Sequence, residues 1–314
     1  MLFRSATVSD TDRVAAVVVD EPVGWIPAER YLDELGQRMY RPEWTWLAED
    51  EGRLMGRALW WGQSTAEHPV DLDCLYVDAS VSDRAKVAAG LLSAGLEDFA
   101  ARGASRLPIF TLRLTGGWRD DPAVVAAYEW RHAAAQAAGL SHVVERLQLE
   151  WTADAGLPAA GDRLTYARAS DEEFLEMFRR IAVGTLDDGT RKDIAEMGAE
   201  AAARHNMDFY LDCLGERDWW RLAYDATGEV VGLAIPSATP YARNIGYIGV
   251  VPEFRGRGYV DEVLAEMTRM QAEAGAERIT ATTDMGNAPM AAAFARAGYK
   301  VTEIRMVYSV PAAS

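Results

Sequence analysis

The chain has 314 residues, 49% of them hydrophobic and 25% charged, which excludes a largely disordered polymer and supplies apolar material for two ordinary cores. A formal net charge of −16 excludes the basic surface that binding nucleic-acid phosphates requires, while leaving room for a cationic small molecule. Two distant cysteines, Cys74 and Cys213, and four scattered histidines make neither a disulfide framework nor a metal motif. No apolar run approaches the roughly 18 residues of a membrane helix, and the opening residues lack a secretory core. The expectation is a soluble, cytoplasmic protein with no metal and no membrane partner.

The elements follow one another twice in the same order. Ser9-Asp10 opens the first amphipathic stretch, with Asp12 completing a weak capping box. A strand over 53–59 is entered through the turn Glu51-Gly52, and a second strand covers 72–77. The helix after it carries the apolar stripe Val87, Leu91, Leu92, Gly95, Leu96 and Phe99, and ends at Gly103. A further strand opens at Leu107, a loop-like insertion covers 116–122, and Ala137-Ala138-Gly139-Leu140 leads into a terminal strand.

The stretch 153–162 is rich in small residues, with Gly156, Pro158 and Gly161, and reads as a linker. Ser170 and Glu173 then form a stronger capping box. Strands over 229–235 and 245–250 are followed by a helix with the stripe Val260, Val263, Leu264, Met267, Met270 and Ala274. Gly275 ends that helix, a strand covers 278–283, and Arg296-Ala297-Gly298-Tyr299 precedes a last strand. Several strands precede the main helix of each copy. The pattern predicts two tandem α/β domains of the α+β type, 1–152 and 163–314, each a mixed, mostly antiparallel sheet flanked by helices.

The most specific feature lies between a strand and a helix of the second copy: Val250-Val251-Pro252-Glu253-Phe254-Arg255-Gly256-Arg257-Gly258-Tyr259-Val260. Glycines let backbone N–H groups converge, and the helix start adds unsatisfied donors and a positive dipole end, which together suit a pyrophosphate. Arg255 and Arg257 add cationic side chains. The alternative for the same residues is an ordinary turn with solvated arginines. The first copy reads Ala79-Ser80-Val81-Ser82-Asp83-Arg84-Ala85-Lys86-Val87 there, with no glycine and an added acid, so no anion site is expected in it.

The run from Arg255 to Val260 resembles motif A of the GNAT superfamily of N-acetyltransferases, Gln/Arg-x-x-Gly-x-Gly/Ala. Asn287-Ala288-Pro289-Met290-Ala291-Ala292-Ala293-Phe294 with Gly298-Tyr299 resembles motif B of the same family. The resemblance is strong over residues 165–314 and weak before them. It implies two tandem GNAT-like domains, acetyl-CoA as acyl donor held by the loop in the second, and a small amine-bearing acceptor. It places the carbonyl-polarising N–H in the segment around Ile248–Val250, and Asn287 on the pantetheine unless it caps the motif B helix. It also places residues 184–190 beside the acceptor, where Asp187-Asp188 is either a cation-holding pair or a loop and cap.

Two residues depart from the family pattern. Val260 stands where Gly or Ala is preferred, and Phe294 where many members carry a tyrosine that protonates the departing thiolate. Proton-handling candidates are Tyr247, otherwise a packing aromatic, and Asp284, otherwise a helix cap. A tandem chain with the intact loop in one copy is also similar to mycothiol synthases, and a non-catalytic acyl-CoA sensor is the alternative of a different class.

Overall fold

The computed structural model describes residues 1–239 and 241–312. The first half runs β1 (Leu2–Ser5), α1 (Thr11–Ala15), α2 (Ala28–Gly36), β2 (Tyr40–Asp50), β3 (Arg53–Trp61), β4 (Asp71–Val77), α3 (Arg84–Ala101), β5 (Ile109–Leu114), α4 (Pro122–Ala137) and β6 (His142–Thr152). The second half runs β7 (Thr165–Ala167), α5 (Asp171–Ala182), α6 (Asp188–Met197), α7 (Ala199–Asp212), β8 (Arg221–Tyr224), β9 (Val230–Ala238), β10 (Arg243–Val250), α8 (Tyr259–Glu273), β11 (Arg278–Asp284), α9 (Ala288–Arg296) and β12 (Lys300–Ser309). The chain divides into two compact units, and the cut does not follow that halving: Met1–Glu145 is completed by Glu303–Pro311, and the second unit is built on Arg146–Thr302.

In the first unit β1 to β4 pair antiparallel in chain order. β4 and β5 are parallel, paired only at Asp71↔Ile109 and Leu72↔Phe110. β12 then lies antiparallel to β5, from Ile304↔Leu114 to Tyr308↔Phe110. The predicted stripe of α3 is buried along its whole length, with Leu91, Leu92 and Phe99 at most 1% exposed. Its N-terminus is closed by Asp83, whose carboxylate accepts from the Lys86 N–H at 3.0 Å. The first capping box forms two residues earlier than the sequence pattern suggests, because the Asp10 carboxylate turns back to the Thr7 N–H at 2.9 Å.

The same short parallel pairing marks the second unit. β10 and β11 pair only at Arg243↔Ile279 and Asn244↔Thr280, then diverge. β10 is otherwise held by antiparallel β9, with a bulge at Gly246, and β8 and β7 continue the sheet outward. On the other flank β11 pairs antiparallel along its whole length with β6, from Arg278↔Thr152 to Asp284↔Arg146. The Ser170–Glu173 capping box is formed at both ends and opens α5. Apolar faces of α5, α7 and α8 pack with the sheet around Phe174, Phe178, Ile181, Met207, Leu233, Ile235, Leu264 and Met267.

Candidate active site

Where two parallel strands part, the backbone edges facing the gap lose their ladder partners, and an extended polar ligand can take their place. In the second unit the gap between β10 and β11 opens toward the residues that follow Val250. A cavity of about 850 Å³ occupies this region, lined by Ile245–Val250, Thr282, Thr283, Asn287 and the start of α8 on one side and by residues of α5, α6 and α7 on the other.

The glycine loop is built from both ends. Phe254 is buried and anchors a 3-10 turn over Pro252–Phe254. Arg255 then ties the loop to α5: Nε donates to the Val250 carbonyl at 3.0 Å, Nη1 to Val183 at 2.8 Å, and Nη2 to Ile181 at 2.7 Å. Those carbonyls include orphaned acceptors at the end of α5, so the guanidinium caps one helix while shaping the entry to another. Gly256 and Gly258 have φ of +75° and +76°, the left-handed region that favours glycine. Gly258 is the N-cap of α8 and brings no side chain to it, leaving the first-turn N–H groups without a cap. The acids in that turn are matched by arginines, Asp261 by Arg296 at 2.7 Å and Glu262 by Arg163 in a short contact. An anionic group fits this helix start.

Of the sequence-derived cofactor residues, Val250, Arg255, Gly256, Gly258, Tyr259, Val260 and Asn287 line the cavity. Val251 is fully buried and Pro252 starts the 3-10 turn, so both support the loop from behind. Arg257 donates to the Glu253 carbonyl at 2.9 Å and lies over the Phe254 ring. Asn287 is the N-cap of α9, accepting from the Met290 N–H at 3.4 Å, and also faces the cavity.

Tyr247 lies on β10 just past the bulge, its ring 4.9 Å from Phe178 and 5.6 Å from Tyr210 of α7. Burial pushes its hydroxyl above the ordinary tyrosine range, and the Asp187 carboxylate pushes it further. Tyr210 is raised in the same way, by burial first, then by Tyr247 and Asp187. Both phenols are therefore neutral hydrogen-bond donors at ordinary pH. Asp187 is the N-cap of α6, with Oδ1 accepting from the Thr190 N–H and hydroxyl, both at 2.7 Å.

Asp284, at the end of β11, is 5% exposed and already engaged. Oδ2 accepts from the Asp188 N–H at 2.6 Å, and Oδ1 pairs with Arg146 Nε at 2.9 Å. Burial raises its pKa against the pull of that N–H and that guanidinium. It ties the start of α6 to the sheet. Arg146 and Tyr210 are among the cavity residues that the motifs did not indicate. Arg146 belongs to β6, far from both motifs, and Tyr210 sits on a helix whose only visible signal is amphipathicity.

The first unit closes the corresponding gap with its own residues. The Gly24 N–H donates to the Arg113 carbonyl at 2.9 Å, and the Arg113 guanidinium makes a short contact with Asp73 across the divergence of β4 and β5. Near the start of α3 the Glu21 carboxylate accepts from Arg84 at 2.8 and 2.9 Å, Arg131 at 2.7 Å and Trp130 at 3.1 Å. Nothing comparable to the uncapped helix start of the second unit is left there.

A parted parallel strand pair leads into an uncapped, glycine-opened helix, and the comparisons with known proteins bear on that half of the chain. Residues 158–300, within the second unit, match the family model of the acetyltransferase (GNAT) domain. A GCN5-related N-acetyltransferase from Sphaerobacter thermophilus has a similar structure, with a TM-score of 0.59 and 17% identity over 98% of this chain and 94% of that one. A tandem GNAT protein from the clavulanic acid biosynthesis pathway aligns over 100% of this chain and 99% of its own, at 17% identity and a TM-score of 0.51. A glucosamine N-acetyltransferase region of a fungal multi-domain β-N-acetylglucosaminidase aligns over 98% of this chain and 38% of that one, at 15% identity and a TM-score of 0.55. These likenesses establish the tandem GNAT fold. No curated protein matches the chain. Among the described residues no helix is long and apolar enough to cross a membrane, and no group of His, Cys, Asp and Glu is arranged to hold a metal ion.

Proposed function

We propose that the second unit is an acetyl-CoA-dependent N-acetyltransferase acting on the amine of a small molecule, and that the first unit holds no acyl donor. The observation that carries this reading is the uncapped start of α8, opened by Gly256 and Gly258 at the mouth of the β10–β11 gap and continuous with a cavity of about 850 Å³. The loop and α8 amides hold the pyrophosphate, and the unpaired β10 edge holds the amide-bearing arm. Acetyl-CoA supplies a thioester carbonyl. The gap-facing N–H groups of β10, those of Ile248 and Val250, stabilise the oxyanion as the amine nitrogen attacks. The C–S bond then breaks, an amide forms, and the amine's proton passes to solvent.

Tyr247 is assigned as a hydrogen-bond donor to the departing thiolate, a task that Phe294 cannot perform. Its raised pKa makes it a donor of hydrogen bonds and not a base. A thiol of ordinary pKa, about 8.5, leaves readily with such help. Asp284 is assigned a positioning role through the Asp188 N–H and Arg146. The test is thiol release from acetyl-CoA in the presence of a panel of small amines. The reading predicts amine-dependent release that Gly258→Asp reduces at least a hundredfold, because that carboxylate would stand where phosphate binds. Donor binding without release on any amine would favour the sensor reading.

A further inference from the structure

The amine-binding end of the cavity carries an unequal set of charges. Arg146 faces two carboxylates, Asp284 at 2.9 Å and Asp187 at 4.0 Å. Asp284 is buried and also takes the Asp188 N–H, so the Arg146–Asp284 pair is closed on itself. The other guanidinium lining the cavity, Arg255, is directed at backbone carbonyls. Asp187 keeps one oxygen on the α6 cap, and its other oxygen meets Arg146 only at 4.0 Å, so its partly exposed carboxylate stands at the cavity wall without a close ion pair.

That charge acts on the space where the acceptor would sit. The hydroxyls of Tyr210 and Tyr247, two of the aromatic residues lining the cavity, are raised mainly by burial and partly by Asp187, against the smaller opposing pull of Arg146 on the first and Arg255 on the second. A carboxylate beside two tyrosine rings, with Phe209 also lining the cavity, is a favourable setting for an organic cation. The reacting amine is not that cation, because an ammonium has no lone pair with which to attack a carbonyl. A cation held at Asp187 during the reaction must be a second centre on the same molecule.

We propose that Asp187 selects acceptors carrying a second, non-reacting cationic group, so that diamines are preferred over monoamines of equal length. This rests on the reading of the cavity as the acceptor site of an acetyltransferase. The pair to compare is 1,4-diaminobutane and pentylamine, which match in length and differ in one terminal charge. The discriminating variant is Asp187→Asn, since asparagine caps a helix as well as aspartate and removes only the charge.

Two readouts are taken on the full chain: kcat/KM for acetylation, and calorimetric binding of each amine to the protein loaded with CoA. The inference predicts a preference for the diamine of at least about thirtyfold in the original protein, falling below about threefold in Asp187→Asn, with acetyl-CoA affinity unchanged as the check on folding. A ratio near one in the original protein overturns it. So does a ratio that survives the substitution while both amines decline together, which would place Asp187 on the reacting nitrogen. If no amine is acetylated, the functional reading fails, and the binding ratio still decides the role of Asp187. Added salt should erode the preference, as expected of a partly exposed charge pair.

Discussion

At the scale of single residues, the site separates groups that face the cavity from groups that hold others in place. Tyr247 faces it, and replacing it by phenylalanine removes one hydrogen bond to the leaving sulfur while keeping the ring packed against Phe178 and Tyr210. Under the proposed mechanism kcat should fall about tenfold to a hundredfold with KM little changed, measured by steady-state thiol release. The pH profile carries a separate expectation. Rate should rise with pH as the amine loses its proton, with no falling limb below about pH 10, because burial keeps Tyr247 and Tyr210 protonated past the ordinary tyrosine value. A decline near neutral pH in the original protein would contradict this proton bookkeeping. The glycine loop was legible in the sequence because left-handed turns demand glycine locally. Arg146 was not, since its place in the cavity depends on which strand pairs with β11, a long-range fact that no local spacing encodes.

At the scale of elements, the two loops that precede α3 and α8 show how small differences open or close a helix start. Arg255 clips the second loop to the end of α5, so Arg255→Ala should weaken acetyl-CoA binding about tenfold under the proposed reading and lower Tm, although its side chain donates to backbone. In the first unit Glu21 instead ties the start of α3 to α4 through Arg84, Trp130 and Arg131. Burial works against its charged form, yet hydrogen bonds from Arg84, Arg131 and Trp130 outweigh that and hold its pKa at about 2. A carboxylate with a depressed folded pKa contributes stability above its unfolded pKa and loses it as pH falls through the folded one. Glu21→Gln should therefore cost about 2 kcal/mol at pH 7, and the difference should shrink as pH falls from about 5 toward 2, measured by denaturant unfolding across that range. The absence of glycine between Ala79 and Val87 is readable from sequence, and the structure shows that helix start capped by Asp83. That Asp83 caps α3 is a local contact to the Lys86 N–H, whereas that Glu21 folds inward onto Arg131 depends on tertiary placement that periodicity does not report.

At the scale of the whole molecule, the repeat predicts that each half ends in a strand, and it does. What the repeat leaves open is the sheet each strand joins: β6 completes the sheet of the second unit and residues 303–309 of β12 that of the first. A fragment cut at the linker, residues 153–314, would lack Arg146 and the buried Leu149 and Trp151, and would expose the edge of β11. It should fail to give a cooperative unfolding transition and should not bind acetyl-CoA, by calorimetry and near-UV dichroism. A well-folded, binding fragment would show that β6 is dispensable. The central claim, one working donor site in a tandem fold, is tested most directly by calorimetric titration of the full chain with acetyl-CoA. The account predicts one site per chain, abolished by Gly258→Asp and untouched by Glu21→Gln. Two sites per chain, or one that survives Gly258→Asp, would contradict it.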